Sequence, residues 1–309
     1  MSVTGRLDHA ALAEQFATHR GHLIGVAYRL TSTLADAEDA VQEAWLRLSG
    51  LDEKRRAEIR DLRGWLTTVV GRICLDRLRS AAVQRERYVG PWLPEPIVTP
   101  ITSDDPGDLV VRDEQVRLAA LVVLDKLTPE QRVAFVLHDA FGVPFAEIGG
   151  ILGCADATAR QHASRGRRAA ADSEPPPLTA IDEQRAVVEK LLTAIISGDV
   201  NGVVTLLHPD AVLVGDSDGK VRTARRHVVG ADKITRFLFG LAETYGAHRL
   251  THGRLVLVNG QLGMFIPHVP AEGDLRAIDR RVTVFDMEDG LVTQIYDIVN
   301  PDKLTRLTD

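Results

Sequence analysis

Between Asp156 and Arg168 the chain spaces Gln161, Ser164, Arg165 and Arg168 so that they fall on one stripe of a helix. Such a stripe suits nucleic acid: it could enter a DNA major groove, with guanidinium forks matched to phosphates. A second set, Arg72, Arg77, Arg79, Arg85 and Arg87 with Tyr88 beside them, makes a cationic edge suited to phosphates and to the unstacked bases of a single strand. A third set is acidic. Asp36, Asp39 and Glu43 share one helix face, which is either solvated or a docking surface for a partner. For proton transfer the chain offers His208, Asp210, Asp216 and Asp297, but their spacing fixes no acid–base pair, and His208-Pro209-Asp210 reads as turn chemistry. No catalytic residue is assigned.

The elements that position these groups follow from hydrophobic period. Leu23, Ile24, Ala27 and Leu30 mark a first helix; Ala37, Val41, Ala44, Trp45 and Leu48 a second; Trp65, Leu66, Val69, Val70 and Ile73 a third, with Trp65 as core. Helical signals resume at Val116, Ala120 and Val123. Thr128-Pro-Glu-Gln131 then makes a capping-box pattern ahead of Val133, Val136, Leu137 and Ala140. From Val143 the pattern is that of two helices around a turn. Pro144 suits a first helical position, Gly153 gives a sharp exit, Asp156 caps the second helix, and Ala159 and Ala163 permit close packing. This reads as a helix-turn-helix, with a surface hairpin as the plain alternative. Gly166 weakens the second helix near its end.

Two linkers divide the chain. Prolines 91, 94, 96, 100 and 106 forbid a helix between Pro91 and Asp108, and Trp92-Leu-Pro-Glu-Pro96 carries an aromatic that a passive spacer does not need. The second runs from Ser173 to Thr179 through Pro175-Pro-Pro177. Beyond it, Val187, Val188, Leu191, Leu192 and Ile195 mark a helix, and Ile234, Phe237, Leu238 and Leu241 another. Strands at 255–258 and 262–266 flank Asn259-Gly260, and strands at 282–285 and 291–299 flank Asp289-Gly290, so an α+β unit with a curved sheet is expected. Asp216-Ser-Asp-Gly-Lys220 has the opening of a calcium loop, but its twelfth position is His227, so no metal is expected.

A chain of 309 residues with net charge −6 is not a uniformly nucleic-acid-coating protein; its basic groups are local patches. Cys74 and Cys154 stand alone, which excludes a disulfide framework and a CxxC metal site. The longest uncharged apolar run, Leu118 to Leu124, is too short to span a bilayer, and no secretory pattern opens the chain. A cytoplasmic protein without a cofactor is expected.

Two stretches carry a family resemblance. Ala35-Asp-Ala-Glu-Asp-Ala-Val-Gln-Glu-Ala-Trp-Leu-Arg47 and Gly64-Trp-Leu-Thr-Thr-Val-Val-Gly-Arg-Ile-Cys-Leu-Asp-Arg-Leu-Arg79 resemble region 2 of bacterial extracytoplasmic-function (ECF) sigma factors of the sigma-70 superfamily. Leu127-Thr-Pro-Glu-Gln-Arg-Val-Ala-Phe135 and the helix pair after it resemble region 4. The resemblance implies a transcription initiation factor. It assigns Asp36, Asp39 and Glu43 to the clamp helices of the polymerase beta-prime subunit, and Arg72, Arg77 and Arg79 to the minus-10 promoter element. Arg160, Gln161, Ser164, Arg165, Arg167 and Arg168 fall to the minus-35 element, with His162 where the family often has Arg or Lys.

The C-terminal order of elements resembles the SnoaL-like cone, in which a small ligand is expected. Trp92, Pro94 and Glu95 of the linker, Asp216, Asp218, Gly219 and Lys220, and Asn300, Pro301, Asp302 and Lys303 resemble the set of the SigJ-type subgroup, whose fused cone is a regulatory domain. The expected fold is thus two all-α helical domains, sigma regions 2 and 4, followed by an α+β SnoaL-like cone with a curved, mostly antiparallel sheet. The expected boundaries are 1–90, a linker at 91–110, 111–172, a linker at 173–180, and 181–309. An enzymatically active cone fused to a DNA-binding protein is the alternative of a different class.

Overall fold

The computed structural model describes residues 3–85, 87–101, 117–171 and 179–308. Pro106, Asp108, Val116, the Pro175–Pro177 linker and the side chain of Arg85 lie outside the described residues. The described chain forms two compact units. The first gathers residues 3–85 and 120–171; the second gathers 87–101, 117–119 and 179–308.

The first unit opens with α1 (Val3–Thr31), α2 (Leu34–Ser49), a short α3 (Glu53–Ala57) that the sequence pattern did not announce, and α4 (Leu62–Arg85). Thr33 caps α2 by accepting from the Asp36 amide. Leu23, Ala27 and Leu30 of α1, Ala37, Val41, Ala44 and Leu48 of α2, and Leu66, Val70 and Ile73 of α4 are buried together, so one apolar stripe per helix builds the core. Trp65 is half-buried.

The chain continues with α5 (Leu118–Asp125), which enters the first unit at Ala120, then α6 (Pro129–Phe135), a π-turn at Val136–Ala140, α7 (Phe145–Leu152) and α8 (Asp156–Ala171). Thr128 and Gln131 complete the expected capping box on α6. Gly153, at φ 70°, closes α7 in the left-handed conformation that a side chain would strain. Two local expectations are corrected. Pro144 precedes α7 as its cap, with ψ 145°, its carbonyl accepting from the Glu147 and Ile148 amides. Asp156 is the first residue of α8, because the Ala155 carbonyl already takes the opening bonds from Thr158 and Ala159. Gly166, five residues before the end of α8, is buried, and its missing side chain lets α8 meet α6.

The second unit packs α9 (Ile181–Ser197), α10 (Val200–Leu206) and α11 (Ala231–Tyr245) on a seven-stranded sheet. Its strands are β1 (Val98–Thr99), β2 (Leu207–Asp216), β3 (Val228–Val229), β4 (Arg254–Val258), β5 (Gln261–Ile266), β6 (Arg281–Glu288) and β7 (Leu291–Ile298). They lie in the order β1-β4-β5-β6-β7-β2-β3, antiparallel throughout except for the β2–β7 pair. Asn259-Gly260 and Asp289-Gly290 turn the two expected hairpins with positive φ at both residues. Val188, Leu191 and Ile195 of α9, Ile234 of α11, and Leu213, Met264, Phe285 and Ile295 from the sheet share one core. Helix α10 ends at Leu206 and strand β2 begins at Leu207, so His208, Pro209 and Asp210 follow directly on the helix end, within the bulged start of the strand instead of a turn.

Candidate polymerase and nucleic-acid interface

The acidic face of α2 is half-solvated and internally paired. Arg77 Nη1 lies 2.9 Å from Asp36 Oδ1 and 3.6 Å from Asp39 Oδ2, and Arg47 pairs with Glu43 at 2.6 Å. Pairs this exposed are each worth about 0–1 kcal/mol, so a partner's cations displace them readily. Leu46 is 60 % exposed and follows Asp39 and Glu43 along the same helix face. Its i, i+4, i+7 spacing from Asp39 is the signal for it in the sequence.

The basic edge of α4 does not stand free within this unit. Arg72 donates to the Gly150 carbonyl at 2.8 Å, Arg79 holds Glu130 through Nε at 3.1 Å and Nη2 at 3.0 Å, and Thr68 donates to Glu147. Burial works to raise the Glu130 carboxyl, but its own backbone amide and the Arg79 guanidinium outweigh this and hold it below the usual value. Close approach is possible because α4 carries Gly71, where a Cβ would stand 2.9 Å from Leu137 Cδ1. The contact is anchored by Arg132, 1 % exposed, which donates to the Arg29 carbonyl at the end of α1, to Ser32, and to Asp125 at 3.1 Å. Nothing in the spacing of Arg132 reveals that it caps a helix about a hundred residues away. Beneath α4, burial pushes the Cys74 thiol up to about 12, so it is an inert core group.

On α8, Arg160, Gln161, Arg165 and Arg168 are exposed and Ser164 is half-buried, while Ala159, Ala163 and Gly166 face the core. Arg160 lies 5.5 Å from the Phe145 ring centre, and Arg167 forks onto Asp139 at 3.0 and 2.6 Å. The stripe is presented by a helix whose small residues pack inward.

In the second unit the linker residues are bound rather than loose. Asp216 is fully buried and is their hub: it accepts from Tyr88 Oη, from the Leu93 amide at 2.7 Å and from Lys303 Nζ at 2.6 Å. Lys303 also donates to the Leu93 carbonyl and sits 4.0 Å from the Trp92 ring centre, a cation–π contact. Asn300 donates to Tyr88 Oη at 2.7 Å, and burial, then Asp216 as acceptor and as charge, pushes that phenol's pKa up. Asp218 accepts from the Val89 amide at 3.2 Å, Gly219 lies against Val89, and Lys220 bridges Asp218 and the exposed Asp302. Pro301 opens the 3₁₀ turn that places Lys303. Pro94 and Glu95 are buried, Arg306 lies 3.7 Å from Glu95, and β1 adds Val98 and Thr99 to the sheet edge opposite Val258 and Leu257. The stretch from Asp216 to Lys220 thus begins in a buried charge cluster.

Helices α9 and α11 and the sheet leave a mainly apolar cavity of about 90 Å³, with Arg281, Thr283 and Asp297 at its polar end. Of the four acid–base candidates only Asp297 lines it. Asp216 is committed to the linker, and the Asp210 amide donates to His208 Nδ1 on the outer part of β2, away from the cavity. Among the described residues no cluster of His, Cys, Asp or Glu is arranged to hold a metal, and no helix is long and apolar enough to cross a membrane.

An acidic-faced helical module, a basic helix beside it and a helix-turn-helix on one chain define a sigma-70-type transcription initiation factor. The Sigma-70 region 2 family matches residues 15–83, and the Sigma-70, region 4 family matches residues 117–169. The ECF RNA polymerase sigma factor SigJ of Mycobacterium tuberculosis is 50% identical over 294 residues, covering 94% of this chain and 92% of that one. The probable sigma factor SigI of the same species is 34% identical over 233 residues, covering 74% and 76%. The crystal structure of M. tuberculosis SigJ matches with a TM-score of 0.79 at 48% identity, over 95% of this chain and 98% of that one. The chain belongs to the ECF RNA polymerase sigma factors.

Proposed function

We propose that this sigma factor docks on the beta-prime clamp helices of core polymerase through Asp36, Asp39, Glu43 and Leu46, and that its cone governs promoter engagement by gripping the linker. Arg72 and Arg79, with Arg77 steadying the docking face, engage the minus-10 element; Arg160, Gln161, Ser164, Arg165, Arg167 and Arg168 of α8 engage the minus-35 element. Two weak DNA-reading parts joined by one tether bind jointly, so whatever holds the tether sets their combined affinity. The protein works by binding alone, in the cytoplasm beside the polymerase.

The observation that carries the control reading is that Asp216 and Lys303 bind the main chain of the linker itself, at the amide and carbonyl of Leu93. A passive spacer has no need of a buried carboxylate, a buried ammonium and an added sheet strand. Within the first unit, Arg72 and Arg79 are engaged by Gly150 and Glu130, and these exposed contacts cost about 1 kcal/mol each to exchange for phosphates. A held linker hinders promoter engagement; a released one permits it.

The test is promoter-directed transcription by purified core polymerase with the full chain, with a chain ending near residue 177, and with a full-length Trp92→Ala, Lys303→Met variant. Specific initiation by the full or shortened chain, increased several-fold in the variant, is expected by the coupling energies typical of such switches. Equal transcription by all three sinks the control reading. No initiation and no association with core polymerase sinks the docking reading.

A further inference from the structure

Arg160, Arg165, Arg167 and Arg168 of α8 are all exposed, yet the fold holds them differently. Arg167 is engaged by Asp139, which accepts from its Nε and Nη2. Arg165 and Arg168 have no hydrogen-bond partner among the described residues. Arg160 is held by a ring alone. Its guanidinium carbon stands over Phe145, in the first turn of α7, at 5.5 Å from the ring centre, and its N–H donors make no hydrogen bond to the described residues.

The ring is itself held. His138 stacks on Phe145 with ring centres 3.9 Å apart and planes at 28°. His138 Nδ1 donates to the Val143 carbonyl at 3.1 Å, and the reversal between them is tied by the Gly142 amide on the His138 carbonyl at 3.0 Å and the Val143 amide on the Leu137 carbonyl at 2.9 Å. The π-turn at Val136–Ala140, a feature found often at functional sites, delivers His138 to this place. Val143 and Ile148, on either side of Phe145 in the chain, are buried and build the core; Phe145 and His138 stay half-buried, so their stack serves the surface.

Reading a base edge asks more of an arginine than charge. Guanine presents O6 and N7 side by side in the major groove, and two donors of one guanidinium must meet both at once. A free side chain loses rotamer freedom in doing so, whereas one already resting on a ring has less to lose. Arg160 is also the fifth residue of α8, in the N-terminal part that a recognition helix turns to base edges.

We propose that Phe145, with His138 stacked on it, is a positioning residue for promoter recognition, and that Arg160, which it holds, reads a guanine of the minus-35 element. This rests on the proposed engagement of that element by α8, and it names the residues through which α8 selects sequence.

The experiment is selection from a random duplex library by the full chain with core polymerase, and sequencing of the duplexes retained. The wild-type chain is expected to select an upstream motif that contains a guanine. Arg160→Lys keeps the charge and loses the fork, so it should lower the preference for that guanine about tenfold or more and leave the rest of the motif as it was. Phe145→Leu should lower the preference at the same position about threefold, and Phe145→Tyr, which keeps a ring, should restore it. If thermal melts show Phe145→Leu unfolded, His138→Gln, which removes the stacked ring and leaves Phe145 in place, is read in its stead with the same expectation. A ring needed only for packing would weaken retention of every duplex alike. That uniform loss in a folded variant, or an upstream motif whose bases do not depend on Arg160, overturns this inference and leaves the minus-35 reading standing. A wild-type chain that selects no upstream motif overturns both.

Discussion

Two buried charges account for much of how this sigma factor is held, and each answers to removal in a characteristic way. Asp216 has no solvent to fall back on, and Lys303 depends on it and on the Leu93 carbonyl. Asp216→Asn strands that ammonium in a buried site and should cost about 3–5 kcal/mol in chemical denaturation, whereas Asp216→Asn with Lys303→Met should recover a large part, since removing both charges removes the desolvation penalty. Glu130 gives a pH signature. Its folded-state pKa lies below the ordinary 4.5, so its contribution to stability is complete above that value and is lost as pH falls through the depressed one. Glu130→Gln should flatten the fall in stability below about pH 4.5 relative to wild type, as thermal melts across an acid series would register.

Among the helices, two glycines of the helix-turn-helix look alike in sequence and differ in what surrounds them. A Cβ at Gly150 on α7 meets nothing within 4 Å, so Gly150→Ala should raise stability by about 1 kcal/mol through helix propensity alone. A Cβ at Gly166 on α8 would lie 2.8 Å from Phe135 Cβ and 3.1 Å from the Gln131 carbonyl, where the backbone of α6 cannot give way cheaply. Gly166→Ala should therefore lose stability despite the same propensity gain, and paired denaturation curves distinguish the two. Sequence reading treated Gly166 as a weak point in a helix; the packing of α8 on α6 makes it a point of contact.

For the whole molecule, a net charge of −6 coexists with nucleic-acid binding because the charges are sorted by element: acid on α2, base on α4 and α8. Asp39→Lys with Glu43→Lys should abolish association with core polymerase while leaving promoter-duplex binding unchanged, as sedimentation with core and anisotropy with labelled DNA would report. Arg165→Ala and Arg168→Ala should each lower the salt dependence of DNA binding by about one unit of log–log slope. The sequence by itself determined the parts: the helical stripes, the capping box at Thr128, the turn at Gly153, both glycine hairpins and the acidic and basic faces. These rest on local period and backbone preference, which neighbours in the chain decide. The sequence also singled out Trp92, Asp216 and Lys303. What only the tertiary structure decided is which of these groups meet: Arg132 on the end of α1, Arg72 and Arg79 on the helix-turn-helix side, Leu93 on Asp216, and Asp297 with Arg281 in the cavity. Those meetings join residues up to 123 positions apart, as Leu93 and Asp216 are. They arise because a buried charge must find a partner wherever the fold can supply one, a condition that no local pattern records.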